Sequence, residues 1–258
     1  MNIFESIILG IIQGLTEFLP ISSSGHLVLA QHFLGIEMEG ILFEIILHLG
    51  TLLSILIYYQ KELKNLFMEA LNGDVEKKKY IIYLFVSFIP IVFIGLFYSD
   101  FIELLFTPSI VILALFFNGM IIATTFFIRR KSVKKITLSI AVFIGISQVF
   151  ALMPGISRSG VTISTALLLG VMHNDAAKFS FFLAIPGLLG AGIFQIINID
   201  ISSNISLISL MIGFISAATT GYFIINFLLQ LISKGKFYYF SFYCIFLSIV
   251  SYSFLNIG

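Results

Sequence analysis

Charged residues are scarce in this chain. Of its 258 residues 10% are Asp, Glu, Lys or Arg, 59% are hydrophobic, and the mean hydropathy is +1.10. A water-soluble domain carries about a quarter charged residues, so this surface is not built for water. The length would admit one or two domains, but no stretch has the composition of a soluble insert, and 1–258 reads as a single membrane domain. The net charge of +1 leaves no concentrated basic face and excludes a nucleic-acid partner. A single cysteine, Cys244, rules out an intrachain disulfide and reads as a small apolar filler. The first apolar run lacks a basic leader and contains Glu5, Gln13 and Glu17, so no cleavable signal peptide is expected.

What is present is a series of apolar runs. Six read as membrane-spanning helices, at about 42–59, 80–98, 108–128, 179–198, 205–232 and 237–257. Two more, 3–34 and 136–172, are interrupted midway by Pro20-Ile-Ser-Ser-Ser-Gly25 and Pro154-Gly-Ile-Ser-Arg-Ser-Gly160. Such clusters break helices. Broken backbone is tolerated at membrane depth only against protein or a water-filled cavity, so each stretch is expected to form a re-entrant hairpin.

The distribution of Lys and Arg fits this reading. The connections 60–79, 129–135 and 233–236 carry twelve basic residues between them, and 35–41, 99–107 and 199–204 carry none. The positive-inside rule places the first group in the cytoplasm and the second outside. Six spans alternate correctly only if both hairpins return to the side they enter from, the first from outside and the second from the cytoplasm. The expected fold is therefore all-α, with six transmembrane helices and two re-entrant helical hairpins. Each half, 1–128 and 136–257, holds one hairpin and three spans, which makes the repeat inverted. Gly10-Ile-Ile-Gln13 echoes Gly145-Ile-Ser-Gln148, and Ser22-Ser-Ser-Gly25 echoes Ser157-Arg-Ser-Gly160. Inverted repeats with broken helices place their polar site where the breaks meet.

Ionisable residues at membrane depth are costly and mark function. Here they are Glu17, His26, Glu44, His48 and Arg158. Gln13 and Glu17, four apart, share a helix face directed at the Pro20 break. Glu44 and His48 repeat that spacing and read as an internal hydrogen-bonded pair between helices. A serine-rich break that opens a helix offers free N–H groups and hydroxyls to an anion. Arg158 adds a planar fork for phosphate oxygens. A serine hydroxyl near His26 supplies a nucleophile and a base, and Glu17 can orient that histidine, act as base or hold a metal. These residue types suit phosphoryl transfer; they equally suit a transporter or flippase for a lipid-borne phosphate or small anion.

Gln13-Gly-Leu-Thr-Glu17-Phe-Leu-Pro-Ile-Ser-Ser-Ser-Gly-His26 and Pro154-Gly-Ile-Ser-Arg-Ser-Gly-Val-Thr162 resemble the signatures of the undecaprenyl-diphosphate phosphatase family of the bacitracin-resistance type. The resemblance extends over Phe43-Glu-Ile-Ile-Leu-His-Leu-Gly50 and Phe179-Ser-Phe-Phe-Leu-Ala-Ile-Pro186. It implies the same fold and a multi-pass protein of the cell membrane. It also implies removal of the terminal phosphate from a polyprenyl diphosphate, which yields the lipid carrier for cell-wall glycan synthesis, and a homodimer is compatible with it. By the same resemblance Glu17, Ser23, His26 and Arg158 are catalytic, and Ser22, Ser157, Ser159, Gly160 and Thr162 hold phosphate. A divalent cation, Mg or Ca, is implied at Glu17 and Gln13. Gln13 departs from the two-acid form of that motif, and Lys178 departs where some members carry an acid. The expected mechanism has Ser23 attack the terminal phosphorus, activated by His26 and oriented by Glu17, in a site opening to the external side. A competing version makes His26 the nucleophile. The acid-phosphatase-like lipid phosphatases are excluded, because no Arg-Pro occurs and the next histidine after Arg158 is His173.

Overall fold

The computed structural model describes residues 2–35, 41–128, 134–197 and 206–255. Residues 36–40, 129–133 and 198–205 carry much of the connections named above, both those without Lys or Arg and the basic one with Arg129, Arg130 and Lys131, and lie outside the described residues. Among the described residues the chain is helical, with one isolated bridge between Lys134 and Val171.

Asn2 opens α1 (Ile3–Phe18) with a reciprocal cap: its side chain accepts the Glu5 N–H, and Glu5 accepts the Asn2 N–H. The helix stops before Pro20, and α2 (Ser23–Leu34) begins after Ser22. The second interrupted stretch repeats this plan. Helix α8 (Leu138–Gln148) tightens into a 3-10 turn at Val149–Leu152, and α9 (Arg158–Leu168) restarts after Ser157. Ser22 Oγ accepts the Gly25 N–H, and Ser157 Oγ accepts the Gly160 N–H. The echoed Ser-x-x-Gly motifs are thus the same N-terminal cap used twice.

All six expected spans are helical: α3 (Ile41–Tyr58), α5 (Val75–Phe97), α7 (Pro108–Ala123), α10 (His173–Ile197), α11 (Leu207–Ser233) and α12 (Tyr239–Leu255). Among the described residues three segments, Val75–Phe97, Pro108–Phe127 and Leu207–Ser233, are by themselves long and apolar enough to cross a bilayer. The chain is a multi-pass membrane protein. Along α5 the side chains of Phe85, Ile89, Phe93 and Phe97 face outward, as expected for a lipid-facing helix. A short helix, α6 (Ser99–Glu103), follows α5.

The connection 60–79 differs from the expected loop. Gln60–Leu71 form α4, turned 71° from α3. Leu66 and Ala70 of α4 are buried, while Lys61 and Lys64 share the exposed side with Phe67, Met68 and Leu71. That pattern belongs to a helix lying along an interface.

Lipid supplies no hydrophobic drive between helices, so close packing and hydrogen bonds must hold them. Helix α11 presents Gly213, Ala217 and Gly221 to α1 and α3. A Cβ on Gly14 would lie 2.7 Å from the Ala217 carbonyl oxygen, and one on Gly50 would lie 2.6 Å from that of Phe214. In the other half, Gly145 of α8 meets the Ser87 carbonyl of α5 in the same way. Serine hydroxyls finish these seams: Ser54 donates to Ala218, Ser87 to Ala141 and Ser248 to Ile112, each at 2.7 Å. Helix α3 also packs on α10, and α7 on α12.

Gly14→Val should therefore lower the unfolding transition in detergent by about 1–3 kcal/mol in overpacking. Phe93→Leu, on the lipid face, should leave it unchanged. A thermal-denaturation series on the two purified variants checks both.

Candidate active site

The two helix breaks complete one another. Gly155 donates its N–H to Ser22 Oγ at 3.2 Å, while Ser157 and Ser159 donate their hydroxyls to the Leu19 carbonyl at 3.4 and 3.2 Å. Gly25 and Gly155 approach so closely that a Cβ on Gly25 would sit 3.0 Å from the Gly155 Cα. Gly155 turns with φ of +102°, where its open face packs on Val111 and Ala114 of α7. One turn further along α7, Asn118 ties both breaks together. Its Nδ2 donates to the Pro20 carbonyl at 2.9 Å, and its Oδ1 accepts the Ser157 N–H at 3.0 Å. Ser22 has φ of +70°, a left-handed conformation rare outside glycine and enforced by these contacts from the second hairpin.

Against this seam lies the carboxylate of Glu17, in the last turn of α1, with a side chain 6% exposed. A buried carboxylate persists only if it is paired and hydrogen-bonded. Arg158, the first residue of α9, donates Nη2 to Oε1 at 2.6 Å. Ser23, the first residue of α2, donates Oγ to Oε2 at 2.6 Å, and Gln13 donates Nε2 to the same oxygen at 3.1 Å. His48 brings its Nε2 to 3.8 Å from Oε2. The guanidinium, 19% exposed, makes its one hydrogen bond among the described residues to Glu17. Its other donors remain available for an anion. The N-termini of α2 and α9 meet at the same place, since their first residues, Ser23 and Arg158, both bond Glu17.

Of the residues expected from sequence, the structure brings Gln13, Glu17, Ser23 and Arg158 into one cluster. His26 is turned away, so the expected Ser23–His26 pair is replaced by Ser23–Glu17. Its Nδ1 donates to the Ser22 carbonyl at 2.7 Å, and its Nε2 meets the Tyr243 hydroxyl of α12 at 2.8 Å. The reason is local: a carbonyl freed by the Ser22 turn captures the ring, and Tyr243 stacks on it. The hydroxyls of Ser22, Ser157 and Ser159 are spent on the seam between the hairpins, and that of Thr162 on Ser180 and the Arg158 carbonyl, not on an open cleft. Gly160 Cα packs on Asn118 and Ser157. Lys178 lies over the Phe182 ring. The expected Glu44–His48 side-chain pair is also corrected: His48 Nδ1 donates to the Glu44 backbone carbonyl at 2.9 Å and leaves its other nitrogen facing Glu17.

The donor set does not fit a resident divalent cation. Mg²⁺ and Ca²⁺ take six or more oxygens and favour several carboxylates. Here one carboxylate already accepts from Arg158, Ser23 and Gln13, and no group of three His, Cys, Asp or Glu occurs among the described residues. The buried Gln13 Oε1, which has no hydrogen-bond partner among the described residues, is a single neutral oxygen.

Behind the Pro20 break, an apolar cleft of about 700 Å³ opens between α1, α2, α11 and α12. Leu19 and Ile21 form the wall it shares with the break, and Leu29, Phe227 and Leu231 line it further along. His26 and Tyr243 are its main polar features.

The sequence model of the bacitracin resistance protein BacA family matches residues 6–250. The chain belongs to that family. Among curated proteins it is similar to the undecaprenyl-diphosphatase of Carboxydothermus hydrogenoformans, 39% identical over 94% of each chain. It is similar to that of Caldicellulosiruptor bescii at 38% over 98% of each, and to that of Parabacteroides distasonis at 36% over 95% of each. Asn118 and the approach of His48 to Glu17 were not anticipated from sequence. An asparagine alone in the apolar run 108–128 was the available signal for the first, because such a residue must find partners.

Asn118→Leu should destabilise the fold sharply. It orphans the Ser157 N–H, at about 1–3 kcal/mol, and leaves the Pro20 carbonyl only the weak Cys244 thiol donor at 3.7 Å. Amide hydrogen exchange is expected to rise at Ser157 and along the first turn of α9, while α5 and α10 stay protected.

Proposed function

We propose that this protein hydrolyses the terminal phosphate of a polyprenyl diphosphate of the undecaprenyl type, releasing inorganic phosphate and the lipid monophosphate used as a carrier in cell-envelope glycan synthesis. One observation carries the reading: a serine hydroxyl and a guanidinium occupy the two oxygens of one buried carboxylate, each contributed by a different hairpin.

In this scheme the diphosphate head group enters between the hairpin tips while the prenyl chain stays in lipid. The free donors of Arg158 and the first-turn N–H groups of α2 and α9 bind its oxygens. Ser23 Oγ attacks the terminal phosphorus and its proton passes to Glu17, to which it is already hydrogen-bonded. The bond from the terminal phosphorus to the bridging oxygen breaks, and the lipid monophosphate leaves with that electron pair. Water then cleaves the phosphoserine, and the proton on Glu17 returns to Ser23 Oγ. His26 acts at one remove, holding the Ser22 carbonyl and so the start of α2. Ser157, Ser159 and Thr162 hold the second tip in register, and Ser22 joins the two.

We place the site in a cell membrane, opening to the external side from which the first hairpin enters. Six spans and two re-entrant hairpins arranged as an inverted repeat, 1–128 and 136–257, are supported by matching helix neighbours: α1 with α11 as α8 with α5, α3 with α11 as α10 with α5, and α1 with α2 as α8 with α9. The pairs α3–α10 and α7–α12 would then lie across the pseudo-axis. Gly10 and Gly145, matched in sequence, fill matched tight contacts on α11 and α5.

Purified protein given a C55 or shorter prenyl diphosphate should release phosphate, which a transporter would not do. Arg158→Ala and Glu17→Gln should each cut the rate by about 10²–10³-fold, the range for losing a group that stabilises transition-state charge. Wild-type activity in either variant would discard the assignment. Gln13→Glu sets a second carboxylate against Glu17 and should make phosphate release more dependent on added Mg²⁺ or Ca²⁺; a chelator titration of both proteins measures this.

A further inference from the structure

The two histidines nearest the hairpin tips begin alike and end differently. Each donates its Nδ1 proton to a carbonyl four residues earlier, His26 to Ser22 and His48 to Glu44. A carbonyl can only accept, so in both neutral rings Nδ1 carries the hydrogen and Nε2 the lone pair. For His26 that lone pair is taken by the Tyr243 hydroxyl at 2.8 Å. For His48 it has no hydrogen-bond partner among the described residues, and Nε2 faces Glu17 Oε2 at 3.8 Å, the oxygen that accepts the Ser23 hydroxyl. This distance is too long for a direct hydrogen bond and suits a bridging water. His48 is also 25% exposed, more than Glu17 or Arg158, so it can pass a proton outward.

We propose that His48 is a catalytic residue, the general base for the water that hydrolyses the phosphoserine. The inference rests on the Ser23 reading above. In the first half-reaction Glu17 takes the Ser23 proton, so a carboxylic acid then stands beside the phosphoserine and cannot serve as a base. The water oxygen forms a bond to phosphorus, its proton moves to His48 Nε2, the bond from phosphorus to Ser23 Oγ breaks, and Oγ recovers the proton held on Glu17. Protonated His48 releases its proton to solvent. Water and phosphoserine become phosphate and serine, with every proton accounted for. Two proton acceptors are thus divided between two half-reactions, as the paired approach to one carboxylate oxygen allows.

The experiment uses a prenyl diphosphate labelled at its terminal phosphate, quenched at intervals. His48→Gln should slow phosphate release by about 10²-fold, within the usual range for losing a general base. Lipid monophosphate from the first turnover should still appear in a burst, with label retained on the protein. The label should vanish in Ser23→Ala/His48→Gln. In His48→Ala, added imidazole should restore part of the steady-state rate, an effect that repair of helix packing alone would not give. Wild-type turnover in His48→Gln, or slowed turnover without retained label, overturns this inference and leaves Ser23 in place. Undiminished turnover in Ser23→Ala overturns the nucleophile assignment and this inference with it.

Discussion

A single buried carboxylate organises the structure. Removing an ion of this size from water costs several kcal/mol even after relaxation, and an unpaired one would unfold its surroundings. Glu17 ends a helix that stops in the middle of the protein, and its counter-charge does not come from its own hairpin. It comes from Arg158, 141 residues away, at the start of the opposing helix. The ion pair therefore exists only when the two helix breaks meet. The same dependence holds for the backbone: each break leaves donors and acceptors that the other break, or Asn118 between them, completes. Neither hairpin is satisfied alone. Folding and formation of the site are one event, which is the preorganisation that charge stabilisation in a dry site requires.

The Pro20 break also separates two kinds of space. On one side lie Glu17, Ser23 and Arg158; on the other, Leu19 and Ile21 face a cleft walled almost entirely by apolar side chains. A lipid diphosphate is divided in the same manner, with charge at one end and hydrocarbon along the rest. His26 sits on the apolar side with Tyr243 and reaches the break only through its hydrogen bond to the Ser22 carbonyl. A polar residue near a motif is thus not automatically a polar residue in the site.

Much of this was legible in the sequence. Proline and serine clusters inside apolar runs marked the breaks, because lipid cannot satisfy an open backbone. The echo of Ser22-Ser-Ser-Gly25 in Ser157-Arg-Ser-Gly160 located two equivalent turns, and the cost of Glu17 and Arg158 at membrane depth marked both as candidate site residues. What stayed hidden depended on side-chain direction across helices. Spacing places Glu44 and His48 on one face of α3, but not that the ring would bind a backbone carbonyl and turn its free nitrogen to another helix. It places serines at both breaks without saying that Ser157 and Ser159 would reach the Leu19 carbonyl and so leave the open cleft. Helix α4 was obscured for a different reason: its mean hydropathy is low, and its apolar side is visible only at a helical period.

The neutral residue at position 13 is consistent with this electrostatic arrangement. Glu17 and Arg158 balance one to one, and Gln13 adds a hydrogen bond without adding charge. A second carboxylate there would leave the dry cluster net negative and invite a cation. With Gln13 in place, the charge that matters can be produced by the reaction itself. In the proposed mechanism, as the Ser23 proton moves to Glu17, the carboxylate is neutralised and the guanidinium loses its counter-ion. Arg158 then carries an uncompensated positive charge at the moment the transferring phosphoryl group is spreading negative charge over its oxygens. Proton transfer and phosphate stabilisation become one displacement, in which a single arginine exchanges one anion for another across a hydrogen-bond length.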